Sequence, residues 1–235
     1  MENVESKKLD SLLISEIYLS IQGESSYTGM PCIFVRLTGC DLRCAYCDSA
    51  FAFTGGNRIS LDAIFQKINA LRCSLVEVTG GEPLLQKAVF PFMRQLCDQG
   101  KTVLLETSGA HDISGVDPRV IRMVDLKCPS SGESQRNLIS NLNQLRLTDQ
   151  IKFVIGSKED FEWAKKQIQH DSLRQKVHCI LFSPTFKTAA VDGQIKGHDG
   201  LDPKLLAEWI LKENLSVRLQ LQIHKYIWDP LQRGV

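Results

Sequence analysis

The chain has 235 residues, 43% of them hydrophobic, enough to bury one sizeable core. Its 28 lysines and arginines against 27 aspartates and glutamates exclude the broad basic field that nucleic-acid binding requires, so no direct nucleic-acid partner is expected. Eight cysteines, five of them scattered (Cys32, Cys73, Cys97, Cys128, Cys179), and no secretory leader point to a reducing cytoplasm, and no run approaches the roughly 20 apolar residues of a membrane span.

Residues 1–10 are polar and are expected to form a flexible tail ahead of a single domain over 11–235. Leu12 to Ser20 reads as a strand that runs into the polar Ile21-Gln22-Gly23-Glu24 loop. Pro31 to Leu37 is the next strand, with Ile33, Val35 and Leu37 on one face and Cys32, Phe34 and Arg36 on the other. Leu61 to Leu71 carries a helical stripe, and strand Leu75 to Thr79 follows it. A helix over Leu84 to Gln99 closes on Gly100, and strand Thr102 to Glu106 comes next. A weakly patterned segment, with Pro118 near a helix start, leads to strand Met123 to Lys127. Helix Asn137 to Leu145, strand Gln150 to Ile155, helix Lys158 to Gln169 and strand Val177 to Phe182 continue the alternation. The glycine-containing piece Val191 to Gly200 is a surface loop. Helix Asp202 to Lys212 has Pro203 in its first turn, and Val217 to His224 is the last strand, with Gln220, Gln222 and His224 on one side. About six strand–helix units in this length predict an α/β partial barrel of parallel strands, shorter than an eightfold one.

Ligands of such sheets gather at the carboxyl ends of the strands. After the second strand come Cys40, Cys44 and Cys47, spaced C-x3-C-x2-C. Thiolates are the usual holders of iron–sulfur clusters, and three of them leave one iron of a four-iron cluster open to a small molecule. A zinc knuckle needs four ligands, and the chain has no second C-x2-C pair. Thr79-Gly80-Gly81-Glu82-Pro83 ends another strand, either as a ligand cradle or as an ordinary glycine turn. Glu106 sits in an apolar run and needs a polar partner, structural or substrate. Asp125 and Lys127 share a strand face and either pair with each other or meet a ligand. Arg36 keeps its charge opposite an apolar face and requires an anion, either a carboxylate substrate or an internal carboxylate such as Glu24 or Glu106.

The cysteine spacing together with Gly80-Gly81-Glu82-Pro83 resembles the radical S-adenosylmethionine (SAM) superfamily. Within it, Gln22-Gly23-Glu24, Phe34-Val35-Arg36, Gly39-Cys40-Asp41, Cys47-Asp48-Ser49-Ala50-Phe51, Glu106-Thr107, Gln222-Ile223-His224-Lys225 and Arg233-Gly234-Val235 resemble the 7-carboxy-7-deazaguanine synthase family of queuosine and deazapurine biosynthesis. The resemblance implies an enzyme with a [4Fe-4S] cluster on Cys40, Cys44 and Cys47, SAM and Mg²⁺. It implies conversion of 6-carboxy-5,6,7,8-tetrahydropterin to 7-carboxy-7-deazaguanine, a carbon–nitrogen lyase reaction that contracts the ring with loss of ammonia. By the same resemblance Gly80, Gly81, Glu82, Ser108, Asp125, Leu126, Lys127 and Ser183 hold SAM, although Asp125-Leu126 departs from the Ser-Pro that often precedes this lysine. Ile21, Gln22, Gly23, Glu24, Arg36, Thr79, Glu106, His224 and the carboxylate of Val235 line the pterin pocket. Ser49 is the Mg²⁺ ligand, or else caps the following turn. The expected partners are the pterin, a flavodoxin or ferredoxin reductant, and a second copy of the chain in a homodimer. A glycyl-radical-enzyme activase shares the cluster spacing and the Asp125-Leu126-Lys127 segment. A non-catalytic iron–sulfur electron carrier, completed by Cys128 or another scattered cysteine, is the alternative outside the superfamily.

Overall fold

In the computed structural model, which describes residues 10–191 and 193–235, the strands are β1 (Ser11–Ile21), β2 (Pro31–Leu37), β3 (Asn57–Ser60), β4 (Leu75–Gly80), β5 (Thr102–Thr107), β6 (Ile121–Asp125), β7 (Gln150–Ile155), β8 (Cys179–Pro184) and β9 (Arg218–Leu219). The expected tail lies outside the described residues apart from Asp10. One nine-stranded sheet runs β3-β1-β2-β4-β5-β6-β7-β8-β9. From β2 to β9 every pairing is parallel, while β1 is antiparallel to both β2 and β3. The edges β3 and β9 do not pair, so the sheet is an incomplete barrel.

Period-2 alternation assigns each face its job. Ile33, Val35, Leu37, Val76, Val78, Val103, Leu105, Ile151, Phe153, Ile180 and Phe182 form the outer face and pack in the main core beneath the helices. The helices are α1 (Leu61–Ala70), α2 (Val89–Asp98), α3 (Lys158–His170) and α4 (Pro203–Lys212). Each puts a stripe into that core, Ile64 and Ile68 on α1, Phe92 and Leu96 on α2, Phe161 and Ala164 on α3, Leu206 and Ile210 on α4. Ser60, Ser157 and Asp202 cap α1, α3 and α4 by accepting from backbone N–H groups of the first turn. The inner face begins apolar, with Cys32, Phe34, Leu75 and Leu104, and turns polar toward the carboxyl ends.

Several elements differ from the sequence reading. The helix expected from Leu84 begins at Val89, after a 3₁₀ turn over Pro83–Leu85. Gln86 interrupts it with extended backbone and spends its amide on Leu13 N and O and Thr38 O. Gly100 does close α2 at φ +76°, with Lys101 N bonding Leu96 O. The segment at Pro118 forms a turn, because Asp117 accepts from Arg119 N and its guanidinium. Residues 137–145 hold only a 3₁₀ turn, Ile139–Asn143, since Asn137 and Asn141 bond to backbone at Lys127, Gly109 and His111. β6 starts and stops two residues earlier than expected and β8 two later, and β3 went unread in its polar sequence. Two isolated bridges, Thr188 to His198 and Val191 to Ile195, fold the Val191–Gly200 loop back on itself. The last strand stops at Leu219, and the chain turns into the short helix α5 (His224–Ile227), with Ile223 N on Gly23 O.

Candidate active site

The cysteines lie in the irregular connection between β2 and β3, and its shape is fixed from outside by backbone and charged groups. Glu82 N donates to Gly39 O at 2.7 Å and Ala45 N to Ser131 O at 2.9 Å. The Arg43 guanidinium caps the carbonyls of Cys40 and Leu42 and stacks over Phe53 at 4.3 Å. Asp41 is held by Arg136 and His111. Leu42, Cys44 and Tyr46 pack together, and Cys40, Cys44 and Cys47 all carry free thiols on one cavity wall. Burial pushes all three thiols up, Cys47 to about 12 with Asp48 adding to it, while the Lys127 ammonium pulls the other way. Among the described residues no three His, Cys, Asp or Glu side chains converge on a single ion. In a four-iron cluster each thiolate takes a different iron, so the donors stand apart.

Gly80 and Gly81 bring the end of β4 against this loop. A Cβ on Gly81 would lie 2.2 Å from Gly39 O and 3.0 Å from Cys40 Cβ, and Gly80 has φ +139°. Glu82 takes a different place from the one expected. It is fully buried and accepts from Leu84 N, Thr107 Oγ1, Ser108 N and Ser108 Oγ, which ties the glycine turn to the end of β5. Its carboxylate is spent inside the protein, off the cavity wall. Leu126 also leaves the wall, because its side chain belongs to the outer core. Gly80, Gly81, Ser108, Asp125, Lys127 and Ser183 remain on it.

The floor of the cavity, about 320 Å³ in volume, is a network of charges on the inner strand face. Lys152 on β7 meets Glu24 at 3.0 Å, Glu106 at closer range, and Asp125 at 3.7 Å. Asp125 also pairs with Lys127 at 2.7 Å, and its Oδ1 is buried with no hydrogen-bond partner among the described residues. Glu106 accepts from Thr79 Oγ1. Burial raises Glu24, but the Lys152 ammonium, with help from His224 and Gln222, outweighs it and holds this carboxyl down to about 2. Glu77 behaves oppositely: burial, then the nearby Glu106 charge, lifts it to about 8. Its Oε2 accepts from Gln22 Nε2, and Gln22 Oε1 accepts from Glu24 N.

The remaining wall comes from the two ends of the chain. Arg36 finds its anion in Glu16 on the neighbouring strand at 2.8 Å, and its guanidinium also donates to Tyr18. Glu24 and Glu106 are therefore not its partners. Arg233 reaches the same Glu16 at 3.5 Å and lies 4.2 Å over Phe51. Gln220, Gln222 and His224 sit on a turn and α5 instead of a strand face. Gln220 bonds Ser25 O and Thr28, Gln222 bonds Glu24, and His224 packs so closely on Gly23 that a Cβ there would sit 1.9 Å from Nδ1. Lys225 clamps Asp48 at 2.6 Å, and Ser49 Oγ donates to Asp48 Oδ1. Ile21, Gln22, Gly23, Glu24, Arg36, Ser49, Thr79, Glu106, His224 and Val235 all line this cavity. Lys152 and Glu77 were not singled out from sequence, although each is a charge in an apolar strand, the same signal that marked Glu106.

The radical SAM superfamily profile matches residues 34–127. The 7-carboxy-7-deazaguanine synthase of Koribacter versatilis is 49% identical over 224 residues, covering 94% of this chain and 99% of that protein. The synthase of the same name from Chlorobaculum tepidum is 46% identical over 228 residues, 95% of this chain and 97% of its own length. A crystal structure of QueE from Escherichia coli superposes with a TM-score of 0.69 at 23% identity, over 90% of this chain and 93% of that one, and so shares the fold. The chain is a radical SAM enzyme and belongs to the 7-carboxy-7-deazaguanine synthase family.

Proposed function

We propose that the protein converts 6-carboxy-5,6,7,8-tetrahydropterin to 7-carboxy-7-deazaguanine, contracting the ring with loss of ammonia, for queuosine and related deazapurines. The observation that carries the reading is one cavity with three free thiols on one wall and a floor of oriented carboxylates, in a chain about half identical to named synthases over nearly its full length. The donor set fits the cofactors. Three soft thiols suit a [4Fe-4S] cluster with an open iron, the glycine pair lets the end of β4 close directly against the cysteine loop, and the orphaned Asp125 Oδ1 awaits a donor such as the SAM amino or ribose groups. When bound, cluster and SAM supply a 5′-deoxyadenosyl radical that takes a hydrogen atom from the substrate.

The chain's own residues bind and orient. Gly80, Gly81, Ser108, Asp125, Lys127 and Ser183 face SAM, and the Glu82 carboxylate acts through the turn it holds. Glu24, Glu106 and the Val235 carboxylate accept from the donor-rich amino-pyrimidine edge, and Arg36 supplies a cation to the substrate carboxylate. Ile21, Gln22, Gly23, Thr79 and His224 shape the rest of the pterin pocket. Ser49 holds Mg²⁺. Donating its hydrogen to Asp48 leaves its oxygen lone pairs free, so Ser49 would offer a hard oxygen ligand to the ion. The protein works in the cytoplasm as a homodimer, with flavodoxin or ferredoxin as reductant. Among the described residues no helix is long and apolar enough to cross a membrane.

The test is an anaerobic assay of reconstituted protein with SAM, Mg²⁺, reductant and the pterin, following 7-carboxy-7-deazaguanine by mass spectrometry. Product formation supports the reading. SAM cleavage without product, with the pterin present at saturating concentration, refutes the substrate.

A further inference from the structure

We propose that Lys152 is a positioning residue of this reaction, the common anchor that turns three carboxylates toward the pterin and SAM and keeps the two ligands in register. The inference rests on the pterin reading given above. Lys152 stands on the inner face of β7 with only 5% of its side chain exposed. Its ammonium contacts Glu24 Oε2, Glu106 Oε1 and Asp125 Oδ2, which come from the loop after β1, the end of β5 and the end of β6. The ammonium donates to Glu24 and Glu106 and lies within ion-pair range of Asp125 Oδ2, an oxygen it shares with Lys127.

Holding one oxygen aims the other. Glu24 Oε1 meets Gln222, Glu106 Oε2 meets Thr79, and Asp125 Oδ1 has no partner among the described residues, so every outward oxygen keeps acceptor capacity for a ligand. Glu24 and Glu106 stand among the residues proposed for the pterin, Asp125 among those proposed for SAM. Lys152 is thus a single atom-scale link between two binding sites. Without it the three carboxylates, Asp125 buried and Glu24 and Glu106 mostly so, lose the cation they share, while Lys127 pairs with Asp125. Each would move or take up a proton, and a protonated carboxyl cannot serve as a pure acceptor.

The readout is coupling. SAM cleaved while the pterin is out of register ends as 5′-deoxyadenosine and methionine, dithionite supplying the electrons and solvent the proton. Wild type, K152M and K152R are reconstituted with iron and sulfide and assayed with dithionite over a range of pterin concentrations, counting 5′-deoxyadenosine and product. K152M is expected to keep wild-type iron content and cluster absorbance, to raise KM for the pterin at least tenfold, and to release at least tenfold more 5′-deoxyadenosine per product. K152R, which keeps the charge, is expected to restore KM to within about threefold. K152M with KM and coupling within twofold of wild type, or K152R as impaired as K152M, overturns the inference. K152Q carries the same readouts and limits if K152M does not fold. Wild-type protein that fails to turn over the pterin would overturn the substrate reading and this inference together, whereas normal wild-type turnover beside an unaffected K152M overturns this one alone.

Discussion

Replacing Gly81 by alanine tests the idea that the end of β4 sets the position of the cysteine loop. The new Cβ would lie 2.2 Å from Gly39 O and 2.6 Å from Gly39 C, both backbone atoms that no rotamer change can remove. Restoring ordinary contact at roughly 3.4 Å requires the loop to retreat by about 1.2 Å, in a direction that also pushes Cys40. The move strains Glu82 N to Gly39 O and Gly81 N to Leu37 O, bonds of 2.7 and 3.1 Å, each worth about 1 kcal/mol net. A stability loss of about 1–2 kcal/mol is expected. The functional loss is larger, because a displacement near 1 Å at a reacting centre costs on the order of 10²-fold in rate. G81A is reconstituted beside wild type and beside G115A, whose Cβ would meet only the flexible Phe90 ring at 3.3 Å. Iron per chain and the rate of 5′-deoxyadenosine formation are measured. G81A within threefold of wild type in that rate would refute the reasoning.

Asp149 is fully buried, pairs with the equally buried Arg122 and accepts from Arg146 N, far from the cavity. D149N strands the guanidinium and should cost about 3–5 kcal/mol, read as a fall in the urea midpoint. R36A should take up iron as wild type does but weaken the pterin, raising KM about tenfold, a loss of about 1.4 kcal/mol. An unchanged KM would remove Arg36 from the pocket. Glu77 gives a pH signature. Its carboxyl is raised to about 8 by burial and Glu106, so between pH 5 and 8 the folded state keeps a proton that the unfolded chain has lost, and stability falls as pH rises. E77Q removes that proton linkage, and its Tm should decline less than that of wild type from pH 5 to 8. Parallel declines would contradict the assignment.

Much of the site was legible because its chemistry sits in contiguous motifs. The three cysteines, the Gly80-Gly81 turn and the charges at strand ends could be placed as soon as the strands were, and alternation along β2 correctly put Arg36 on the inner face. Partners across the sheet were not legible. Arg36 pairs with Glu16 because β1 runs antiparallel beside β2 in a register that sets those two residues opposite each other. Glu106 finds Lys152 only because β6 and β7 bring that strand round. Gln220 to His224 alternates as well as any strand, yet its side chains bond to the Ser25 and Glu24 turn and draw the chain off the sheet edge. Glu82 reads as a ligand group in its motif, and its four internal donors come from residues near 84 and 108 that no local pattern connects.

The division of labour along each strand has an evolutionary consequence. Val76 and Val78 pack in the core, while Glu77 and Thr79, which alternate with them, line the cavity, so a change at one set bears on packing and a change at the other on the cavity. A point change at an inner position explores new chemistry on an intact scaffold. A single-codon deletion within a strand exchanges the two sets at once, burying the charges and exposing the valines. This architecture therefore accommodates substitution inside its strands and insertion between them.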